Sequence, residues 1–276
     1  MHCLVTGHKG FLGRRLSAAL IDFGHSVTGL DTPAGQPIDL RDAPAITDCI
    51  MAARPEVIFH LGGVSGPMLL NDAPGQVLAI NGHGTLNVIE AAGRAGVRRL
   101  IFASSVAAHQ RVGGRPGSLY AVSKTLGEQL VAWAGSTMET TSIRIGSVFG
   151  PGRATANPLH QMIAEGLATG VVPYPAGNME PSIEVGDCAR LFAGLADAAR
   201  MAPHYDAVRY CVSYRAAAET ISAAVGAQAH PTALEESFLY DTTFDVEPLA
   251  RDSGSGPPPS FSDAIGQLVQ TVREAA

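Results

Sequence analysis

Lysine is nearly missing from this chain. Of 19 basic residues in 276, only Lys9 and Lys124 are lysines. Against 25 acidic residues they leave a net charge of -6 and a pI near 5.8. No basic stripe exists to neutralise phosphates, which excludes nucleic acid and an anionic membrane surface as partners. Cysteine is scarce too: Cys3, Cys49, Cys188 and Cys211 lack the paired spacing of a zinc site or redox motif. They read as small buried thiols of a reducing, cytoplasmic compartment. The nine histidines do not cluster as ligands would, so no metal is expected. No apolar run approaches a bilayer's width. The opening run, Cys3 to Val5, is a strand's length and enters a glycine-rich turn, so no secretory leader is expected.

What remains is a chain 46% hydrophobic and 16% charged, enough for a sizeable core. Apolar, β-branched runs at His2–Thr6, Ser26–Asp31, Glu56–His60, Arg98–Ser104, Thr140–Ile145 and Val208–Val212 alternate with helix-period segments. That alternation predicts parallel strands joined by crossover helices. The first four runs are apolar throughout, as expected where helices cover both faces. The fold expected is α/β, a Rossmann doubly wound parallel sheet over residues 1–148, with a returning segment at about 183–213. After Phe149 the punctuation by Gly150-Pro151-Gly152, Pro173-Tyr174-Pro175 and residues 254–259 predicts a smaller C-terminal α/β substrate lobe over 149–276. Helices are expected at Asn157–Thr169, Val185–Arg200, Ala216–Val225 and Phe261–Ala275.

Gly7, Gly10 and Gly13 follow the first strand and open a helix with an apolar face at Leu12, Leu16, Ala19, Leu20 and Phe23. Glycines there let the backbone approach a pyrophosphate at the positive end of a helix. Further along, Tyr120 and Lys124 lie four apart on a predicted helix, one above the other on one face. Moving a hydride to or from a carbinol also moves a proton. A tyrosine with its ordinary pKa of about 10 is a poor base at neutral pH. An adjacent ammonium stabilises the phenolate and corrects this.

The order of these motifs resembles the extended short-chain dehydrogenase/reductases, the NAD-dependent epimerase/dehydratase family. The turn Thr6-Gly7-His8-Lys9-Gly10-Phe11-Leu12-Gly13 is similar to the family's G-x-x-G-x-x-G fingerprint. The resemblance implies that Gly7, Gly10, Phe11, Leu12 and Gly13 hold a dinucleotide. It gives Asp31 to the adenosine ribose hydroxyls. Asp39 and Leu40 match the pair that contacts adenine. His60-Leu61-Gly62-Gly63 and the Asn81 helix match further cofactor-side motifs, which makes Leu61, Gly62, Gly63 and Asn81 cofactor candidates with Tyr120 and Lys124. Lys9 stands where some members meet the NADP phosphate. A carboxylate at Asp31 costs a phosphate more than one solvated lysine returns, so the cofactor is NAD rather than NADP. The resemblance further implies Ser105 as the hydroxyl that orients the substrate oxygen, and a homodimer through helices that include Leu86–Ala95 and Leu119–Trp133.

Substrate is less legible. Ser65, Ser147, Arg153 and Glu180 are candidate contacts. Ser147 stands where many sugar-nucleotide enzymes have an asparagine, and Glu180 where the family commonly supplies an arginine to a diphosphate. Arg153 is the side chain available to compensate. A carboxylate at a diphosphate position repels it. The reading is a Ser-Tyr-Lys oxidoreductase for the hydroxyl or ketone carbon of a small sugar, polyol or hydroxy acid. A nucleotide-sugar epimerase or dehydratase with tightly held NAD and a non-catalytic dinucleotide sensor stay open beside it.

Overall fold

The computed structural model describes residues 1–32, 34–65, 70, 72–238, 240 and 242–275. In chain order the first half runs β1 (His2–Thr6), α1 (Phe11–Asp22), β2 (Ser26–Gly29), α2 (Ala43–Ala53), β3 (Val57–His60), α3 (Pro74–Leu78), α4 (Gly84–Ala95), β4 (Arg99–Ser105), β5 (Arg111–Val112), β6 (Arg115–Pro116), α5 (Leu119–Ala134) and β7 (Glu139–Ile145). The second runs β8 (Ser147–Phe149), α6 (Pro158–Thr169), β9 (Val171–Ala176), β10 (Ser182–Glu184), α7 (Val185–Gly194), β11 (His204–Ala207), α8 (Tyr214–Val225), β12 (Gln228–Glu235), α9 (Glu247–Asp252) and α10 (Phe261–Ala275).

Six strands form the central sheet in the order β11-β7-β4-β3-β1-β2, and every pairing in it is parallel. This is the Rossmann arrangement expected from the alternating pattern. Order reverses between β1 and β3, the topological switch point where such sheets bind ligands. Helix starts follow local chemistry: Asp42, Ser118, Asn157, Glu184 and Ser213 each cap a helix by accepting from a backbone N–H of its first turn.

One core packs Leu16 and Leu20 of α1 with Leu191 and Phe192 of α7 against one face of the sheet. Another packs Ile46, Ile50, Val88 and Val131 against the other face. A third, around Phe149, Ile163, Ile221 and Leu268, belongs to the second half of the chain. Strands β1, β3 and β4 are buried nearly throughout, as their apolar runs predict. The expectation fails for β2, the sheet edge, whose Ser26 is exposed.

Two elements differ from the sequence reading. The last strand of the sheet is His204–Ala207, paired with Ser142–Ile145, while Val208–Val212 leaves the sheet. Its backbone bonds Ser182 and Met179 instead, and Tyr210 packs on Phe149 and Phe261. Helix α7 stops at Gly194 rather than Arg200. The buried Arg99 guanidinium takes the carbonyls of Leu195, Ala196 and Ala198 at 2.7, 2.8 and 2.9 Å, drawing them out of helical register. A third observation bears on the lobe: Leu249 of α9 joins the core under the sheet, and Tyr205 on β11 donates to Asp252 at 2.7 Å, so this stretch returns to the first half.

Candidate active site

The glycine turn bends because Gly7 sits at φ +68°, and Gly10 closes it by donating to the Gly7 carbonyl at 2.9 Å. A Cβ on Gly7 would lie 2.9 Å from the Gly62 nitrogen; one on Gly13 would lie 2.1 Å from the Gly7 oxygen. Bare backbone is therefore required on both sides of the turn. Above it opens a crevice of about 410 Å³, walled by Gly7, His8, Lys9, Gly10, Leu30, Asp39, Leu40, Gly62, Gly63 and Ile80 among others. It lies at the carboxyl ends of β1 and β3 and the start of α1, where N–H groups point at an anion. Phe11 and Leu12 begin that helix, with Leu12 and Leu61 packed on the core below.

At the end of β2, Asp31 lies 2.9 Å from His8 Nε2 and 3.5 Å from Lys9 Nζ. Lys9 also donates to the Gly35 carbonyl. The conflict between Lys9 and Asp31 seen in the sequence is thus settled locally, with the lysine charge committed to the carboxylate. Asp39 forms a forked pair with Arg41, which holds its carboxyl down at about 2. Leu40 is buried beside Gly62 and Gly84.

A buried polar chain braces the opposite wall. Thr6 Oγ1 bonds His60 Nδ1 at 2.8 Å and accepts from the Gly62 N–H at 2.8 Å, while His60 Nε2 bonds Thr85 at 3.0 Å. Burial, then the Lys124 charge, pushes the His60 pKa down to about 3, so the imidazole is neutral and structural. Asn81 lies in a single π-helical turn, Ala79–His83. Its side chain accepts from the Val64 N–H at 2.8 Å and donates to the Val64 carbonyl at 3.2 Å and Ser123 at 3.0 Å. It ties the segment after the Gly62-Gly63 turn to α5. Sequence motif matching found both residues but not this bracing, because their partners are 17 to 54 positions away.

The chemistry-bearing residues gather at the end of β4. Registers His60↔Thr6 and Phe102↔His60 place Ser105 beyond the same sheet edge as the glycine turn. Ser104 and Ser105 separate clearly. Ser104 donates to Glu128 at 2.7 Å, which is itself paired with Arg144 in a partly buried ion pair. Ser105 is partly exposed and accepts from the Ala107 N–H at 3.2 Å. Tyr120 stands in the first turn of α5, set by the Ser118 cap. One turn on, Lys124 is buried, donates to the Ala103 carbonyl at 2.8 Å, and has its Nζ 5.6 Å from the Tyr120 ring centre and 5.0 Å from that of Phe102. Burial draws its pKa down to about 8, opposed by Glu128.

Of the substrate candidates, Ser65 is exposed and adjoins residues outside those described. Ser147 accepts from Asn157 at 3.3 Å and donates its N–H to the Pro181 carbonyl at 2.7 Å. Arg153 acts on Glu180 as a nearby charge, and its three guanidinium nitrogens donate to the carbonyls of Val148, Thr155 and Ala156. It lies 5.9 Å over the Phe11 ring. Glu180 is half-buried in the fold, and burial raises its carboxyl to about 7, against the pull of Arg153 and of the Tyr240 hydroxyl. Tyr240 went unseen in the sequence, 60 positions from Glu180 with no motif around it. Among the described residues, no three His, Cys, Asp or Glu are grouped to hold a metal, and no helix is long and apolar enough to cross a membrane.

Glu180 has a consequence for stability. Between its ordinary 4.5 and the folded value of about 7, the folded chain keeps a proton that the unfolded chain releases, so its contribution falls as pH rises through that window. Glu180→Gln is expected to match the parent at pH near 4.5 and to exceed it above pH 7 by about 1–3 kcal/mol, read from melting curves at both ends.

Residues 3–208 match the model of the NAD dependent epimerase/dehydratase family. A 3-diazoavenalumate denitrifying reductase from a Streptomyces species is 30% identical over 64% of this chain and 66% of its own length. A uronate dehydrogenase of Pseudomonas syringae pv. tomato is 32% identical over 53% and 59%. The matched region therefore spans less than two thirds of these relatives. The solved UDP-glucose 4-epimerase of Thermus thermophilus, a complex with NAD, shares the fold across all of both chains, with a TM-score of 0.82 at 24% identity. The bare-backbone turn and the helix start above it suit the pyrophosphate of a dinucleotide. The chain therefore belongs to the NAD dependent epimerase/dehydratase family, and NAD is the cofactor of its crevice.

Proposed function

We propose that this protein is a dehydrogenase that moves a hydride between NAD and the hydroxyl or ketone carbon of a small sugar, polyol or hydroxy acid, with Ser105, Tyr120 and Lys124 as its catalytic residues. The observation that carries this reading is the buried Lys124 ammonium. It is fixed to the Ala103 carbonyl two residues before Ser105, with the Tyr120 ring 5.6 Å away.

The Ser105 hydroxyl orients the substrate oxygen, and Tyr120 takes its proton in oxidation or returns it in reduction. Lys124 favours the phenolate, because a cation in a low-dielectric pocket lowers the phenol's pKa. A folded value of about 8 leaves Lys124 largely charged at neutral pH. NAD, when bound, accepts or donates the hydride. Gly7, Gly10, Phe11, Leu12 and Gly13 would hold its pyrophosphate, Asp31 its adenosine ribose, Asp39 and Leu40 its adenine. Leu61, Gly62, Gly63 and Lys124 would hold the nicotinamide half. The uronate dehydrogenase relative supports a sugar-related substrate. A homodimer through α4 and α5 is part of the proposal, supported by Val122, Leu126 and Trp133, which α5 leaves 40%, 40% and 64% exposed.

The test is a panel of free sugars, polyols and hydroxy acids, run beside nucleotide sugars and followed by NADH absorbance. At least one unphosphorylated compound is expected to generate NADH, with cofactor exchanging freely. Turnover of nucleotide sugars alone, on NAD that survives purification, would replace this reading with the epimerase or dehydratase one.

A further inference from the structure

We propose that Glu128 is a positioning residue for the hydride transfer, fixing the end of β4 through Ser104 and setting a negative charge one helical turn behind the Lys124 ammonium. The proposal rests on the hydride-transfer reading and adds to its site a residue beyond Ser105, Tyr120 and Lys124.

Residues four apart on a helix stand one above the other, so Tyr120, Lys124 and Glu128 form one row along α5. Helix and strand approach closely at this row: a Cβ on Gly127 would lie 2.5 Å from the Phe102 ring. Lys124 and Glu128 then grip successive residues of β4. Lys124 donates to the Ala103 carbonyl at 2.8 Å, and the Ser104 hydroxyl donates to Glu128 Oε1 at 2.7 Å. Ser105 is the next residue, so both grips bear on the hydroxyl assigned to the substrate oxygen.

Arg144 holds the same carboxylate from the neighbouring strand. In register, Ser104, Arg144 and Asp206 lie side by side across β4, β7 and β11. Arg144 Nε and Nη2 donate to Oε1 and Oε2 of Glu128, each at 3.1 Å, and the two side chains are 14% and 12% exposed. A carboxylate clamped in a poorly solvated place acts on a nearby ammonium with little screening. The Tyr120 ring on α5 and the neutral His60 on β3 also face Lys124. Behind Arg144 stands Asp206 on β11, which His204 and His109 act on as well. Burial favours the neutral amine of Lys124, and Glu128 is the carboxylate that opposes it. That opposition matters because only the charged lysine stabilises a Tyr120 phenolate.

Lys9 and Lys124 are the two lysines of the chain, so the test reads the residue itself. Full-length protein labelled with carbon-13 at lysine Cε gives one NMR signal from the exposed Lys9 and one from the buried Lys124. In wild type Lys124 is expected to titrate at about 8. Glu128→Gln keeps an oxygen for Ser104 but no charge, and is expected to lower that midpoint by about one pH unit. Arg144→Gln leaves the carboxylate to Lys124 and is expected to raise it by about half a pH unit. The charged fraction of Lys124 in Glu128→Gln then drops about fivefold near pH 8 and hardly at all near pH 6. Its kcat is expected to follow, about fivefold down near pH 8 and within about twofold of wild type near pH 6, with KM for NAD unmoved. Should Glu128→Gln fail to fold, Arg144→Gln decides by itself. A Lys124 midpoint unmoved by these substitutions, an equal rate loss at both pH values, or loss of folding in both variants would each overturn the proposal. Shifted midpoints in a protein that yields NADH from no panel compound would sink the hydride-transfer reading and leave the action of Glu128 on Lys124 standing.

Discussion

Tyr120→Phe is expected to cut turnover by about a hundred- to ten-thousandfold while leaving NAD affinity within about threefold of wild type, because the loss is of general acid–base catalysis alone. The ring survives the substitution, so the aromatic face 5.6 Å from Lys124 Nζ is kept and the lysine stays on the Ala103 carbonyl. Only the hydroxyl that carries the proton is gone. Steady-state rates on whichever compound scores in the NADH panel, with NAD titrated by fluorescence quenching, check both halves. A variant turning over at wild-type rate would remove Tyr120 from the mechanism. Lost NAD binding would make it a structural residue of the crevice.

Asp31→Ala is expected to move cofactor preference toward NADP by about a hundredfold, NADP tightening by roughly tenfold and NAD weakening by a similar factor. The carboxylate now pairs with His8 at 2.9 Å and Lys9 at 3.5 Å. Removing it subtracts one negative charge from the ribose wall and releases one lysine to a 2′-phosphate. With a unit interaction of about 3 kcal/mol at ~5 Å and an effective dielectric near 20, solvent screening of this partly exposed group brings the gain to about 1–2 kcal/mol. The loss for NAD is that of hydrogen bonds from ribose hydroxyls to a charged acceptor. Parallel NAD and NADP titrations of wild type and variant read the ratio. An unchanged ratio would show that the carboxylate is only a tether for the glycine turn.

The parts of this site that were legible in the sequence are those set by neighbours along the chain. Gly7, Gly10 and Gly13 are readable because a turn between a strand and a helix has local requirements, which the 2.1 Å approach of a Gly13 Cβ to the Gly7 oxygen makes physical. Tyr120 and Lys124 are readable because one helical turn brings them together whatever the rest of the protein does. Ser105 needed the resemblance to separate it from Ser104, and the structure gives the physical distinction: one hydroxyl is spent on Glu128, the other is partly exposed.

Side chains whose partners are distant were misread or unseen. Nothing near Arg99 reveals that the carbonyls of Leu195, Ala196 and Ala198, 96 to 99 positions away, surround its guanidinium and end α7 early. Val208–Val212 has a strand's composition, but His204–Ala207 takes the place in the sheet while Tyr210 packs into the third core against Phe149 and Phe261. The amino-acid order by itself determined the alternation of elements, the glycine turn and the placing of Tyr120 beside Lys124, since each depends on backbone periodicity and on residues within a few positions. The tertiary structure alone decided that Asn81 braces a turn and that Lys9 is held by Asp31, since burial and charge pairing depend on which distant segments the sheet brings side by side.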